Sequence, residues 1–412
     1  MSTNDLRLGL LRQPRAVYFG PGQRAQLPNI VATLGRNALI CTDERMATTT
    51  EFAHIVSALE DRGITTTVFS RVEPDVPREN IMALVSDLTG DAFDAIIGLG
   101  GGSCMDFAKV ASIMLVRGGD VRDLYGENLI ETVGIPVITV PTTGGTGAEV
   151  TCIAVVFDAQ KSMKVGVASP YLEAYAAVVD PELTLSCPPG LTAATGADAL
   201  THLVEAFTAR AKNPSPEDIN QHLYVGKNVL ADIYARAGLS LLNASLERVV
   251  VEPSNLAARS DTMLGALNAG MAINTAGTAA AHAIQSPIGA LTHTAHGIGV
   301  GTLLPYVMRY NLAQRVDEFA EIGRIFGVAD QLADPLKQAQ TAIERIEYLL
   351  SALGVPQNLR ELGLLPEQFN FVADQAMLAT RLTANNPRQL SKDSIVGILR
   401  KGYDDDRSWW QL

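Results

Sequence analysis

The first half of the chain alternates short apolar runs with longer amphipathic stretches. The apolar runs are rich in β-branched residues and predict buried strands at 38–41, 65–69, 95–99 and 136–140, then at 152–157, 164–168 and 176–179. The stretches between them, such as 50–62 and 80–88, have helical periodicity. This alternation favours right-handed crossovers and a parallel sheet covered on both faces. We therefore predict an α/β domain over residues 1–185.

The pattern changes after Cys187-Pro188-Pro189-Gly190. From there the apolar period is near 3.6 residues, alanine and leucine dominate, and strand signals disappear. The predicted helices lie at 192–211, 216–237, 256–271, 278–288, 313–326 and 334–353. Because 412 residues exceed one ordinary core, we predict that residues 186–412 form a second, all-helical domain.

Composition and charge exclude several classes of protein. A formal net charge of −12 argues against a nucleic-acid or anionic-membrane surface, because both need clustered cations. No apolar run is long enough to span a membrane, and the first dozen residues lack the apolar core of a signal peptide. The four cysteines form no CxxC pair and suit buried thiols in a reducing cytoplasm. A hydrophobic content of 47% fits extensive domain or subunit contacts.

Two glycine-rich segments follow predicted strands of the first domain. Gly100-Gly101-Gly102-Ser103 joins a strand to a helix, the setting in which backbone N–H groups bind a pyrophosphate, although a purely structural turn has the same composition. Residues 141–149 contain three threonines and three glycines beyond the next strand. A solvated loop is the alternative there, but the carboxyl end of a buried parallel strand favours ligand contact.

Asp43 follows the strand at 38–41 and has two interpretations. An acid at this position accepts hydrogen bonds from the hydroxyls of an adenosine ribose and repels a 2′-phosphate. An aspartate is equally suited to cap the N-terminus of a helix. The residue alone does not decide between these roles.

The helical half carries a pattern typical of metal ligands. Asp198 and His202 are four residues apart in a predicted helix, so they share one face. Three of the six histidines, His282, His293 and His296, fall within fifteen residues of each other. Imidazoles with a carboxylate suit a first-row divalent ion. A single buried histidine is more often a core side chain, but the pair and the distant cluster together favour a metal site.

In this order and spacing the segments resemble the iron-containing (group III) alcohol dehydrogenase family. The similarity runs from Val17-Tyr18-Phe19-Gly20 to Asn385-Asn386-Pro387-Arg388 and so covers almost the whole chain. It also includes Thr42, Asp106, Lys109, Asp180-Pro181, and the segments from Gly196 to Glu205 and from His282 to Gly297.

The resemblance implies a dinucleotide-binding domain, an all-helical metal domain, and an active site in the cleft between them. It implies an NAD-dependent oxidoreductase that transfers hydride to or from a small alcohol, aldehyde or ketone, in a homodimer or larger homo-oligomer. The metal, Fe(II) or alternatively Zn(II), would be bound by Asp198, His202, His282 and His296. The implied cofactor contacts are Asp43, Gly101, Gly102, Ser103, Thr142, Thr143, Thr151, Lys164 and Leu183.

One position departs from the family pattern. Many members have a second histidine four residues after the third metal ligand, where this chain has Ser286. A serine does not shuttle protons at neutral pH as imidazole does. His293 is a candidate replacement, as is a route through water and ribose hydroxyls.

Two other activities exist on the same fold. A dehydroquinate-synthase-like lyase needs basic residues for a phosphorylated substrate, and the segments around the implied ligands lack such a cluster. A reductase of the maleylacetate type works without metal, and the complete Asp/His/His/His set argues against it. A decayed enzyme that only binds nucleotide is the remaining class, and Ser286 is the one feature that points to it.

Overall fold

The computed structural model describes residues 8–161, 163–329 and 334–410. The chain divides into two compact units. One contains residues 12–187 and 217–223, and the other contains 1–11, 188–216 and 224–412. We call them the sheet unit and the helical unit.

The sheet unit is built on a six-stranded parallel sheet in the order β1-β9-β6-β4-β2-β3. The parallel α/β architecture predicted from the alternating pattern is confirmed. A smaller sheet pairs β5 parallel with β8 and β8 antiparallel with β7. The strands are β1 Ala16–Phe19, β2 Asn37–Cys41, β3 Thr65–Phe69, β4 Ala95–Gly100, β5 Gly126–Glu127, β6 Val137–Pro141, β7 Ile153–Asp158, β8 Met163–Ala168 and β9 Ala176–Val179.

Alternate residues of the central strands enter two different cores. Leu39 and Ile96 pack in one cluster with Phe107 of the following helix. Ile40 and Ile97 pack in another cluster on the opposite face, with Leu27. Helices therefore cover both faces of the sheet, as the fully buried strands require. The helices of this region are α1 Leu27–Leu34, α2 Glu44–Ala47, α3 Thr50–Asp61, α4 Arg78–Asp87 and α5 Gly102–Arg117.

The register brings the carboxyl ends of the central strands to one edge. Cys41 of β2 pairs with Gly98 of β4, and Gly100 of β4 pairs with Pro141 of β6. The residues that follow β2, β4 and β6 are therefore neighbours at this edge, although they are far apart in sequence.

From Pro189 onwards the described part of the chain is helical, apart from connecting loops and an isolated bridge between Ala211 and Gly226. Its helices are α6 Pro189–Thr208, α7 Pro216–Gln221, α8 Val229–Val251, α9 Leu256–Ala276, α10 Ala280–Thr292, α11 His296–Asn311, α12 Val316–Ile325, α13 Pro335–Ala352, α14 Phe369–Leu378, α15 Thr380–Asn385 and α16 Lys392–Asp404. Among the described residues, no helix has the length and apolar character needed to cross a bilayer.

The helix predicted at 216–237 is two helices, α7 and α8. Between them Gly226 adopts a positive φ of 75°, and Val225 donates a backbone hydrogen bond to Thr275. Asn228 then caps α8 by accepting from the N–H of Ala231 at 3.1 Å. Glycine and the asparagine cap thus override the continuous helical periodicity.

Candidate metal centre and cofactor site

Asp198 and His202 lie one turn apart in α6 and on the same helix face. Pro189 occupies the first position of the helix, where its missing N–H costs no intrahelical bond. Most of α6 is buried, and the two side chains are only 6% and 7% exposed. Their polar atoms therefore need partners inside the helical unit.

The other two histidines come from the first turns of α10 and α11. His282 is the third residue of α10, and His296 is the first residue of α11. Gly297 follows, and a Cβ atom there would lie 1.9 Å from the carbonyl oxygen of Ala194 in α6. Only glycine lets the start of α11 approach α6 this closely beside Asp198.

Three imidazole nitrogens converge on one carboxylate oxygen. The Nε2 atoms of His202, His282 and His296 lie 3.6, 3.5 and 3.6 Å from Oδ1 of Asp198. These distances are too long for good hydrogen bonds. Ligand atoms placed tetrahedrally at about 2.1 Å from an ion lie about 3.4 Å apart, close to the spacing seen here.

The unused polar atoms also fit a bound cation. Oδ1 of Asp198 and Nε2 of His282 are buried and have no hydrogen-bond partner among the described residues. Ligand atoms of Asp198, His282 and His296 all lie within 4.8 Å of one another. A carboxylate with imidazoles is a donor set suited to first-row divalent ions, so the residues fit a metal.

Charges within the cluster stabilise the ionised carboxylate. Burial raises the pKa of Asp198, but the nearby His202, His296 and His282 outweigh it, so the net shift is downward. Burial lowers the pKa of His282, yet Glu205 and Asp198 raise it to about 9. A metal ion must displace the proton on this ring, so metal binding weakens as the pH falls.

Glu205 holds His282 from the side opposite Asp198. Its carboxylate is 3% exposed and lies 2.6 Å from Nδ1 of His282. It also accepts the backbone N–H groups of Ala279 at 2.8 Å and Ala281 at 2.6 Å. With Nδ1 donating to the carboxylate, the lone pair on Nε2 faces Asp198. Glu205 is not predicted as a site residue from the sequence, although it lies three residues after His202.

Ser286 lies in the middle of α10, and His293 lies at its C-terminal end. Ser286 is exposed and one turn beyond His282 on the same helix. His293 is also exposed and caps the C-terminus of α10 with a left-handed φ of 54°. Neither residue belongs to the converging cluster formed by Asp198 and the three histidines.

In the sheet unit, Asp43 caps α2 and also faces the glycine-rich turn. Its Oδ1 accepts the N–H of Met46 at 2.8 Å. Its Oδ2 lies 3.7 Å from Sγ of Cys104 in the first turn of α5. The capping role is therefore present, and the second oxygen stays beside the turn that joins β4 to α5.

The turn at Gly100–Gly102 has little room for side chains at Gly100 and Gly102. Gly100 adopts a φ of 150°, and a Cβ atom there would lie 2.5 Å from Sγ of Cys104. A Cβ atom on Gly102 would lie 2.8 Å from the side chain of Thr146. A Cβ atom on Gly101 would lie 3.8 Å from Oγ1 of Thr143. The structure thus brings the glycine turn against the loop that follows β6.

Ser103 and Lys164 both contact Asp75, which is not predicted as a site residue from the sequence. The N–H of Asp75 donates to Oγ of Ser103 at 3.3 Å, and its carboxylate binds Nζ of Lys164 at 2.7 Å. Asp75 and the buried Val76 have φ angles of 63° and 53°. Two consecutive non-glycine residues in this region are strained, a feature that is frequent at functional sites.

Of the remaining predicted cofactor residues, Thr142 and Thr151 are buried. Oγ1 of Thr142 has no hydrogen-bond partner among the described residues, whereas the carbonyl of Thr151 accepts a bond from Lys109. Leu183 packs in the core cluster that contains Leu99 and Val140. The first N–H groups of a helix have no partner within the helix itself, and those at the start of α5, with the hydroxyl of Thr142, fit a dinucleotide at this edge.

Comparisons with known proteins agree with both units. The family described as iron-containing alcohol dehydrogenase matches residues 14–181, and its C-terminal family matches 192–403. Long-chain-alcohol dehydrogenase 1 of Geobacillus thermodenitrificans is 33% identical over 394 residues, which cover 95% of each chain. The NAD-dependent methanol dehydrogenase of Bacillus methanolicus is 28% identical over 94% of this chain and 98% of its own length.

A solved structure of a 1,3-propanediol oxidoreductase has a TM-score of 0.90 and 30% identity, covering 96% of this chain and all of the other. A parallel-sheet unit with a glycine turn and a helical unit with a histidine–aspartate cluster define a metal-dependent oxidoreductase. The chain belongs to the iron-containing alcohol dehydrogenase family. The family resemblance inferred from the sequence motifs is confirmed.

Proposed function

We propose that this protein interconverts small alcohols and aldehydes with NAD(H), using Fe(II) bound by Asp198, His202, His282 and His296. In the oxidising direction R–CH₂–OH and NAD⁺ give R–CHO, NADH and a proton. The observation that carries the proposal is the convergence of three imidazole nitrogens on Oδ1 of Asp198. The methanol and propanediol enzymes among the similar proteins support small alcohols as the substrate class.

The helical unit would hold the metal ion. When bound, the ion acts as a Lewis acid that polarises the substrate carbonyl. Asp198 contributes the negative charge of the ligand set, and Glu205 keeps His282 in the tautomer whose Nε2 is a ligand. Zn(II) suits the same donors, and the description of the family as iron-containing favours Fe(II).

The sheet unit would hold the cofactor, which carries the hydride. We assign the pyrophosphate to the N–H groups of Gly101, Gly102 and Ser103 at the start of α5. We assign the adenosine ribose to Asp43, whose charge disfavours a 2′-phosphate and so favours NAD over NADP. The other proposed contacts are Thr142, Thr143, Thr151, Lys164 and Leu183.

The proton route would differ from that of family members with histidine at the Ser286 position. The Ser286 hydroxyl and the His293 imidazole are the candidate groups on α10 for substrate contact or proton transfer. A serine hydroxyl passes a proton only together with water or a ribose hydroxyl, because it does not itself titrate near neutral pH.

We further propose domains at 1–185 and 186–412, a cytoplasmic location, and a homodimer or larger homo-oligomer.

The experiment that tests this function follows NADH absorbance with the purified, Fe(II)-loaded protein. Short aldehydes are offered with NADH, and diols and hydroxyacids are offered with NAD⁺. NADPH and NADP⁺ replace these cofactors in parallel assays. We expect turnover with small aldehydes and a strong preference for NADH. Metal-loaded protein that binds NADH but reduces none of the aldehydes would contradict the proposal.

A further inference from the structure

Lys109 is a charged side chain in the core of the sheet unit. It lies in the middle of α5 and is 0% exposed. Burial lowers the pKa of Lys109, and the carboxylate of Asp106, 3.7 Å away and one turn earlier, opposes that shift. A buried ammonium group is costly unless its N–H groups are all used, so the partners of Lys109 indicate its role.

The partners of Nζ are carbonyl oxygens rather than side-chain acids. Nζ donates to the carbonyl of Thr151 at 2.8 Å, to that of Ile153 at 3.2 Å, and to that of Ala148. Three carbonyl acceptors use three N–H donors, which only the ammonium form provides. Oγ1 of Thr151 lies a further 3.4 Å from the same nitrogen.

The carbonyls of Ala148 and Thr151 belong to one loop, residues 142–152, which joins β6 to β7, and Ile153 is the first residue of β7. The loop contains three glycines, Gly144, Gly145 and Gly147, so its backbone loses much conformational freedom when it is ordered. The backbone carbonyl of Glu149 in this loop accepts a hydrogen bond from the buried hydroxyl of Thr139 at 2.9 Å. Lys109 and Thr139 therefore bind the inner side of the loop, and three proposed cofactor threonines lie along it.

We propose that Lys109 is a positioning residue for cofactor binding: its ammonium group holds loop 142–152 in the conformation in which Thr142, Thr143 and Thr151 contact NAD(H). The inference rests on the proposed function and adds to it a residue that does not touch the cofactor. Lys109 is not a nucleophile or a ligand here, because it is fully buried and its N–H groups are engaged by the loop.

The test compares NADH affinity and turnover in Fe(II)-loaded variants. Lys109→Met keeps the length of the side chain and removes the ammonium group. Lys227→Met is the matched control, because Nζ of Lys227 also binds a carbonyl, that of Phe207, and a carboxylate, that of Asp232 at 2.9 Å, but in the helical unit. NADH fluorescence gives Kd, steady-state assays give kcat, and metal analysis checks loading.

We expect K109M to raise the Kd for NADH by about tenfold or more, which equals about 1.4 kcal/mol or more. The kcat at saturating NADH and the metal content should change much less. K227M should lose stability without a change in Kd. In K109A, added methylammonium should restore part of the affinity, because it can occupy the site of the missing ammonium group.

A K109M protein that binds NADH as tightly as wild type, with only the stability loss of K227M, overturns the inference. If K109M does not fold, Asp106→Asn carries the test, because it removes the countercharge while its amide oxygen can still accept the N–H of Val155. We expect D106N to raise the Kd by about threefold, less than 1.4 kcal/mol, and an unchanged Kd refutes the role. Wild-type protein that binds no NADH contradicts the proposed function instead.

Discussion

Replacing Glu205 by glutamine removes a charge beside His282 without changing the size of the side chain. The carboxylate accepts three N–H groups, those of Ala279 and His282 on one oxygen and that of Ala281 on the other. An amide has a single acceptor oxygen, so in either orientation its NH₂ group faces at least one of these donors. With its NH₂ group towards Ala279 and His282, the amide no longer holds the ring of His282 with Nε2 towards Asp198. With its NH₂ group towards Ala281, it accepts from His282 only as a neutral group and leaves the N–H of Ala281 unsatisfied.

The expected size of the effect follows from the number of lost bonds. Leaving one buried donor unsatisfied costs about 1–3 kcal/mol. Loss of a hydrogen bond that orients a metal-bound histidine typically weakens metal binding about 10–100-fold. A tenfold change corresponds to about 1.4 kcal/mol, so the two estimates agree. We therefore expect E205Q to raise the Kd for the metal by about 10–100-fold.

The assay is competition for Co(II) or Zn(II) between the protein and a chelator of known affinity at fixed pH. Glu247→Gln is the matched control, because Glu247 is also in the helical unit but pairs with Arg345 at 2.9 Å near the surface. We expect the metal affinity of E247Q to equal that of wild type. An E205Q protein with wild-type metal affinity refutes the role assigned to Glu205.

Three further predictions concern other parts of the molecule. Gly297→Ala should displace the start of α11, since its Cβ would lie 1.9 Å from the carbonyl of Ala194, and should weaken metal binding in the same competition assay. Gly190→Ala is the control, because the added Cβ meets no neighbouring group within 4 Å in the described structure, and it should leave metal binding unchanged. Asp75→Asn keeps a residue that tolerates the left-handed backbone, and it frees Lys164 for the anionic cofactor. NADH should therefore bind about two- to fivefold more tightly at low salt, and this gain in affinity should be lost at high salt. Unchanged NADH affinity at low salt contradicts this prediction. Arg309→Met removes the contacts of the buried Glu347 at 2.5 and 2.9 Å and leaves it Arg407 at 3.3 Å. Unfolding in urea should therefore show a loss of about 3 kcal/mol, the lower end of the range for a broken buried pair, while equal stability counts against a buried ion pair.

Much of the fold is predictable from the sequence because the signals are local. Alternation of apolar runs and helical periodicity identifies the strands β2, β3, β4 and β6 and the helices between them. The four-residue spacing of Asp198 and His202 determines that they share a face once the segment is helical. Spacing alone does not choose between His293 and His296, and the family resemblance was needed to select His296.

The interactions that complete the sites depend on distant contacts. Glu205 reaches His282 across 77 positions of sequence, and Lys164 reaches Asp75 across 89. Neither pairing leaves a periodic signal in the chain. The strain at Asp75 and Val76 is likewise set by tertiary contacts, because neither residue favours a positive φ by itself as glycine does. The break between α7 and α8 has both kinds of cause, because Gly226 and the cap Asn228 are local signals, whereas the hydrogen bond from Val225 to Thr275 is a distant contact.

The metal centre is tested most directly by measuring metal content and NADH-dependent aldehyde reduction on the same preparations. The protein is stripped with a chelator under anaerobic conditions, assayed, and reloaded with Fe(II) or Zn(II), alongside the variants Asp198→Asn and His282→Ala. We expect one metal ion per chain, loss of turnover on stripping, recovery on reloading, and weak metal binding in both variants. Full turnover by rigorously metal-free protein would contradict this expectation, as would wild-type metal affinity in both variants.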